Sequence, residues 1–138
     1  MRITIDLNVL LDVAQGRAEF YRDSEEVLAR AREGEFEGVL PGHGVTTFHY
    51  IVAKFAGVGV ANAAVDGLLA DFAVAGADKA ILRRARSLSM ADFEDAVVAA
   101  VAEANACDFI VTRNTPDFAA SPVRAVTPTR LLKTLRSK

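Results

Sequence analysis

The chain has 138 residues, a length that fits one domain and leaves little room for two. Its residues are 51% hydrophobic and 25% charged, which excludes a disordered tail and indicates a folded protein with a core. The net charge of −2 and the pI of about 5.7 exclude a strongly basic nucleic-acid binder, but not a local basic surface.

Short β-like runs alternate with helical stretches along the chain. In chain order the pattern predicts a strand at 2–5, a helix at 8–14, a helix capped by Ser24 and ending at Gly34, a strand at 36–40, helices at 46–55 and 60–69, a strand at 72–75, a helix capped by Asp78 and ending at Ser87, a helix opened by Ala91 or Asp92 and ending near Asn105, strands at 109–112 and 124–126, and a last helix capped by Thr127 and ending near Leu135. Strands separated by helices predict a parallel sheet covered on both faces, a three-layer α/β/α sandwich.

The location of the protein follows from three features of the sequence. No apolar run approaches the roughly 18 residues of a membrane-spanning helix, and Asp6 interrupts any secretory signal at the N-terminus. Cys107 is the only cysteine, so no disulfide can form within the chain, which fits a reducing compartment. We therefore expect one cytoplasmic domain over residues 1–138 with no membrane contact and with Cys107 as a buried thiol.

Acidic residues follow two predicted strands and open one helix. Asp6 ends the first strand, and Asn114 and Asp117 follow the strand at 109–112. Asp95 lies at the start of the helix before that strand, which begins on the same side of a parallel sheet. Ligands of open parallel sheets bind at the carboxyl ends of the strands. Three distant parts of the sequence thus bring carboxylates to one edge.

Clustered carboxylates raise one another's pKa, and a divalent cation removes this repulsion. Oxygen ligands from Asp and Asn favour Mg²⁺ or Mn²⁺ over Zn²⁺, and such a cation binds phosphate oxygens and activates water. Capping is the alternative role for each acid, since Asp6, Asp92 and Asp95 precede or open helices and Asp117 lies in a turn. The order of the motifs favours a shared site for Asp6, Asp95 and Asp117, and capping for Asp92.

Three segments resemble the motifs of the PIN-domain family, in the family's order. IDLNVLLD at 5–12 is similar to the opening motif, DFEDAVVAA at 92–100 to the central acidic helix start, and TRNTPDF at 112–118 to the closing loop. The resemblance covers essentially the whole chain and is greatest to small bacterial PIN proteins, including the VapC-like toxins of toxin–antitoxin pairs.

This resemblance implies a PIN-like fold and metal-dependent RNA hydrolysis. It places Asp6, Asp95 and Asp117 as the metal-binding acids, and Asn8, Thr112 and Asn114 as residues that orient ligands or phosphate. The implied partners are an RNA substrate, an antitoxin protein and a second copy of the chain. The candidate dimer surface is the helix that carries Val58, Val60, Ala63, Ala64, Leu68 and Leu69.

One position departs from the family pattern. PIN nucleases usually carry an acid, commonly Glu, near the start of the helix after the second strand, where this chain has Thr47. A hydroxyl binds cations weakly, so a catalytically weakened PIN-like module that binds RNA or a partner protein is the alternative function. His49 could compensate, although a packing role is favoured. A phosphatase with Asp6 as nucleophile is less favoured because Asn8 replaces the second acid that such enzymes use.

Basic residues are unevenly distributed along the chain. Arg83, Arg84 and Arg86 form one cluster, and five cations but no acid follow Asp117. We expect solvated helix faces here, and the alternative is a surface that attracts phosphates or a partner.

Overall fold

The computed structural model of the chain describes residues 1–136. In chain order the elements are β1 (Arg2–Ile5), α1 (Leu7–Ala14), α2 (Tyr21–Arg32), β2 (Glu37–Pro41), α3 (Gly42–Ala56), α4 (Val58–Asp71), β3 (Ala73–Ala75), α5 (Lys79–Ser87), α6 (Phe93–Ala104), β4 (Phe109–Val111), a 3₁₀ helix (Thr115–Phe118), β5 (Ala125–Val126) and α7 (Pro128–Arg136). All strands are parallel, in the order β3-β2-β1-β4-β5. The predicted α/β/α sandwich is confirmed.

β1 lies at the centre of the sheet, where both of its edges are paired. Ile3 pairs with Gly38 of β2 and Phe109 of β4, and Ile3 and Ile5 are fully buried. Gly38 has no room for a side chain, because an added Cβ would lie 2.7 Å from a ring carbon of Phe72. A continuous apolar strand with neighbours on both sides is what a fully covered parallel sheet requires.

Two apolar layers cover the two faces of the sheet. On one face, Ile3, Ile5 and Leu40 pack with α1, α2, α3, α4 and α7. On the other face, Val39 and Ile110 pack with α6, which α5 in turn covers. No helix within residues 1–136 is long and apolar enough to cross a membrane.

Several predicted local features are present in the structure. Asp78 accepts a hydrogen bond from the N–H of Ile81 at 2.9 Å, and Asp92 accepts one from the N–H of Asp95 at 3.0 Å, so both are N-caps. Cys107 is buried, and its sulfur accepts a hydrogen bond from the Thr4 hydroxyl at 3.2 Å. Burial raises the pKa of Cys107, as befits an inert structural thiol.

Ser24 and Leu68 do not have the roles that the sequence predicts. Ser24 does not cap α2, which begins three residues earlier at Tyr21. Its buried hydroxyl instead donates to Asp12 Oδ2 at 3.0 Å, a partner 12 residues away that local sequence cannot reveal. Leu68 is not part of an exposed dimer surface, because it is only 7% exposed and belongs to the core.

The most deeply buried charge in the described chain is Asp12 of α1, whose side chain is completely inaccessible. Arg113, directly after Thr112, donates from Nε to Asp12 Oδ2 at 2.8 Å, and Arg17 Nη1 lies 3.5 Å from Oδ1. The guanidinium of Arg113 also stacks on Phe20, at 4.1 Å from the ring centroid. This pair ties α1 and α2 to the loop after β4.

We expect Arg113→Met to lower the free energy of unfolding by about 3 kcal/mol, because it leaves the Asp12 carboxylate buried with only a distant cation. Urea denaturation measures the loss. Arg124→Met is the matched control, since Arg124 is exposed and should cost little. Equal stability of the two variants would contradict the stated role of the Asp12–Arg113 pair.

Candidate metal site at the carboxyl edge of the sheet

Asp6 lies directly after β1 and is only 9% exposed. Its Oδ1 accepts a hydrogen bond from the N–H of Leu7 at 2.9 Å, so Asp6 is the N-cap of α1. Its Oδ2 accepts from the Thr112 hydroxyl at 2.8 Å and from Asn8 Nδ2 at 3.3 Å. The two oxygens of this carboxylate therefore have separate partners: Oδ1 caps α1, and Oδ2 is held by Thr112 and Asn8.

Thr112 and Asn8 fix the position of the Asp6 carboxylate. The fully buried Thr112 hydroxyl also accepts hydrogen bonds from Asn8 Nδ2 and from the N–H of Asn114, both at 3.1 Å. Asn8 Oδ1 accepts from the N–H of Arg113 at 3.3 Å. These side chains act within the protein network, whereas Asn114 contributes its backbone here and is itself exposed.

Asp95 is half-buried at the start of α6. Its pKa is raised to about 6, first by burial and then by the neighbouring charges of Asp92, Asp6, Asp117 and Glu94. Coulomb repulsion falls with distance, so Asp6 and Asp117 are near enough to disfavour a charge on Asp95. The structure therefore brings the three predicted acids into one electrostatic neighbourhood.

Asp117 lies in the 3₁₀ helix after β4 and is exposed, while the next residue, Phe118, is 3% exposed and belongs to the core. Within residues 1–136, no three His, Cys, Asp or Glu side chains are arranged so that they could hold a metal ion as they stand. Convergence of Asp6, Asp95 and Asp117 on one ion thus stays a prediction.

Two further residues, absent from the sequence interpretation, meet Asp6 at a narrow cleft. His43 of α3 and Glu94 of α6 line it together with Asp6. Burial raises the pKa of Asp6, the hydrogen bond from Thr112 opposes that rise, and more weakly Glu94 raises it and His43 lowers it. The Nδ1 atom of His43 is buried and has no hydrogen-bond partner in the described part of the chain.

A sequence signal existed for both residues. β2 ends at Pro41, so His43 follows a strand end as Asp6 does, and Glu94 is the immediate neighbour of Asp95. The predicted start of α3 near Thr46 is wrong, because α3 begins at Gly42 and His43 therefore lies in its first turn.

Thr47 and His49 lie elsewhere. The Thr47 hydroxyl donates to the backbone carbonyl of His43 at 3.2 Å, within its own helix. His49 Nε2 lies 2.7 Å from Asn62 Oδ1 and links α3 to α4, which agrees with the packing role expected for it. Neither residue lines the cleft beside Asp6.

Comparison with known proteins identifies the same family that the three sequence motifs resemble. A family model described as a PIN domain matches residues 2–116. No curated protein matches the chain.

Solved structures share the fold at low sequence identity. A DNA-bound VapBC from Salmonella typhimurium has a TM-score of 0.72 and 14% identity, over 93% of this chain and 98% of that one. VapBC2 from Rickettsia felis, bound to a promoter DNA fragment, has a TM-score of 0.70 and 15% identity, over 92% and 98%. VapC20 from Mycobacterium tuberculosis, a sarcin–ricin loop cleaving toxin, has a TM-score of 0.64 and 13% identity, over 78% and 86%.

These likenesses establish the fold, and the family match establishes membership. The match spans most of the chain. It includes the first two motifs in full and the third up to residue 116, one residue before Asp117. The chain belongs to the PIN-domain family.

Proposed function

We propose that the protein is a PIN-type, metal-dependent endoribonuclease that acts as the toxin of a toxin–antitoxin pair. The observation that carries the proposal is the placement of Asp6 at the end of β1, where Thr112 and Asn8 hold its carboxylate, near the first turn of α6, where burial and neighbouring carboxylates raise the pKa of Asp95 to about 6. Such a concentration of negative charge opposes folding unless a cation or a proton compensates it. Perturbed carboxylates at the carboxyl edge of a parallel sheet are typical of functional sites.

The residues present fit a hard divalent cation by their chemistry. Asp6, Asp95 and Asp117 would supply carboxylate oxygens, the donors that Mg²⁺ and Mn²⁺ prefer. When bound, the ion would supply Lewis-acid stabilisation of the phosphate charge that develops during hydrolysis. Thr112 and Asn8 hold the Asp6 carboxylate in one orientation, which leaves Asp6 little freedom to lose on binding a ligand.

We infer that Glu94 takes the role of the acid that the family usually has near position 47. The Thr47 hydroxyl is directed to the carbonyl of His43, whereas Glu94 lines the cleft with Asp6. His43 supports this assignment, because its unpartnered Nδ1 is a buried polar atom of the kind that a ligand or water satisfies. A carboxylate reaching the same cleft from a different helix replaces the missing charge.

The proposed partners are an RNA substrate, an antitoxin and a second copy of this chain, in the cytoplasm. The structures of similar fold include toxin–antitoxin complexes, which supports an antitoxin. Val58, Val60 and Leu69 of α4 are 60%, 53% and 55% exposed, which supports a protein contact on this helix. Light scattering that gives a monomer mass at high micromolar concentration would remove the homodimer.

A non-catalytic module that binds RNA or a partner protein is the second candidate. It is favoured by Thr47, which stands where the family usually has an acid. It is also favoured by the arrangement of the acidic side chains, because within residues 1–136 no three of them are placed to hold an ion.

The first test is paired. We expect weak, Mn²⁺-favouring RNA cleavage that Asp6→Asn or Asp95→Asn reduces at least about 100-fold, while metal-free Asp95→Asn unfolds at the same temperature as the parent or slightly higher. Asp66→Asn, on the exposed side of α4, is the control and should cleave normally. Unchanged cleavage in both variants would exclude the metal mechanism, and no cleavage by the parent would favour the binding module.

The second test uses pH. The pKa of Asp95 is about 6 in the folded protein and 3.8 is its ordinary value, so the folded state binds the proton more tightly. The free energy of unfolding of the metal-free protein should therefore fall as pH rises from about 4 to 6, by about 1 kcal/mol after allowance for solvent screening. Asp95→Asn should reduce this fall to the part that remains from Asp6, whose pKa burial also raises. Urea denaturation in EDTA measures both, and parallel pH profiles would contradict the role of burial and repulsion at Asp95.

The third test concerns Glu94. Glu94→Gln should weaken Mn²⁺ binding by calorimetry about ten-fold, because one carboxylate near the ion is lost. Glu33→Gln removes an equal charge from an exposed site at the end of α2 and should leave the dissociation constant unchanged. If the two variants bind Mn²⁺ equally, Glu94 has no part in the site.

A further inference from the structure

One face of α5 carries an exposed basic strip next to the first residue of α6. Lys79, Leu82, Arg83 and Arg86 recur at helical spacing, and with Phe93 they line an open depression of about 500 Å³. Leu82 is 39% exposed and the Phe93 side chain lies open at 47%. We refer to these five residues as the basic strip.

The cations of the basic strip are not neutralised by the protein. Arg84, on another side of α5, makes a two-pronged ion pair with Glu103 at 2.8 and 3.0 Å. In residues 1–136, by contrast, no salt bridge involves Lys79, Arg83 or Arg86. Three uncompensated positive charges on a chain of net charge −2 form a local site for an anion.

The basic strip adjoins the candidate metal site. Phe93 directly precedes Glu94 and Asp95 in α6, so the basic strip reaches the same first turn of α6 that carries these two acids. From Lys79 to Arg86 the strip extends roughly 10 Å along the helix axis, enough for more than one phosphate of an extended strand. Cations that follow a backbone beside an exposed aromatic ring are the usual elements of single-strand recognition.

We infer that the basic strip binds single-stranded RNA next to the phosphate to be cleaved, with its phosphates on Lys79, Arg83 and Arg86 and one base stacked on Phe93. The inference rests on the proposed function, because it takes RNA as the ligand of the adjoining site. An acidic peptide would use the cations alone, whereas a nucleic acid also uses the flat apolar ring.

Binding can be measured apart from cleavage, with a labelled single-stranded RNA oligonucleotide in EDTA and fluorescence anisotropy. The double variant Arg83→Gln/Arg86→Gln should bind about ten-fold or more weakly. Its salt dependence should fall by about 1.4 in slope, since each phosphate contact on a single strand contributes about 0.7. Arg124→Gln/Arg136→Gln removes the same charge near the amino edge of the sheet and should bind as the parent does. Equal weakening by both double variants would overturn the inference.

Phe93 separates stacking from charge. Phe93→Ala should weaken binding on the order of ten-fold, and Phe93→Tyr should keep it, because a tyrosine ring stacks equally well. The exposed position of Phe93 means that both variants should unfold at the parent's temperature. Normal binding by Phe93→Ala, together with displacement of the RNA by an equally charged acidic peptide, would assign the strip to a protein partner and overturn the inference.

The outcomes for the strip and for the proposed function are distinguishable. If the parent binds RNA through the strip but cleaves none with Mn²⁺, the proposed hydrolysis is rejected and the RNA-binding role of the strip is retained. If the parent cleaves RNA and the KM is unchanged in Arg83→Gln/Arg86→Gln, the proposed hydrolysis is retained and the RNA-binding role of the strip is rejected.

Discussion

The 2.8 Å hydrogen bond from the buried Thr112 hydroxyl to the Asp6 carboxylate joins the ends of two neighbouring parallel strands. It connects residues 106 positions apart, and it exists only when β1 and β4 pair in the correct register. A one-residue slip of a strand would turn its alternate side chains to the other face. The same pairing that completes the core therefore also orients the central acid of the candidate site.

The site and the core make opposite demands on charge. Asp12 is buried and compensated by Arg113 and Ser24, so its negative charge is part of the fold. Asp6 and Asp95 are buried or half-buried beside further carboxylates, and burial raises the pKa of each. The first arrangement is stable without any ligand, whereas the second becomes favourable when a cation or a proton arrives. Compensation by neighbouring groups thus distinguishes the structural Asp12 from the acids of the candidate site.

The sheet was predictable because its signals are local. Apolar runs, strand-ending residues and helix caps lie within a few positions of one another, and the placement of Asp6, Asp95 and Asp117 follows from strand ends and a helix start. Long-range contacts were not predictable. Ser24 has the sequence position of a helix cap, but its hydroxyl donates to the distant Asp12 instead. The glycines at 42 and 44 are poor helix formers, so the sequence did not indicate that α3 begins there and includes His43.

The loop after β4 is anchored at both ends. Arg113 is held by Asp12 and Phe20, and Phe118 is buried, so Asn114, Thr115, Pro116 and Asp117 bridge two fixed points. The number of residues between these anchors sets how far Asp117 can reach toward α6. The length of this loop can therefore change the geometry of the candidate site without changing the sheet. Homologues or engineered chains with one residue more or fewer here would keep the fold while changing the distance between Asp117 and Asp95.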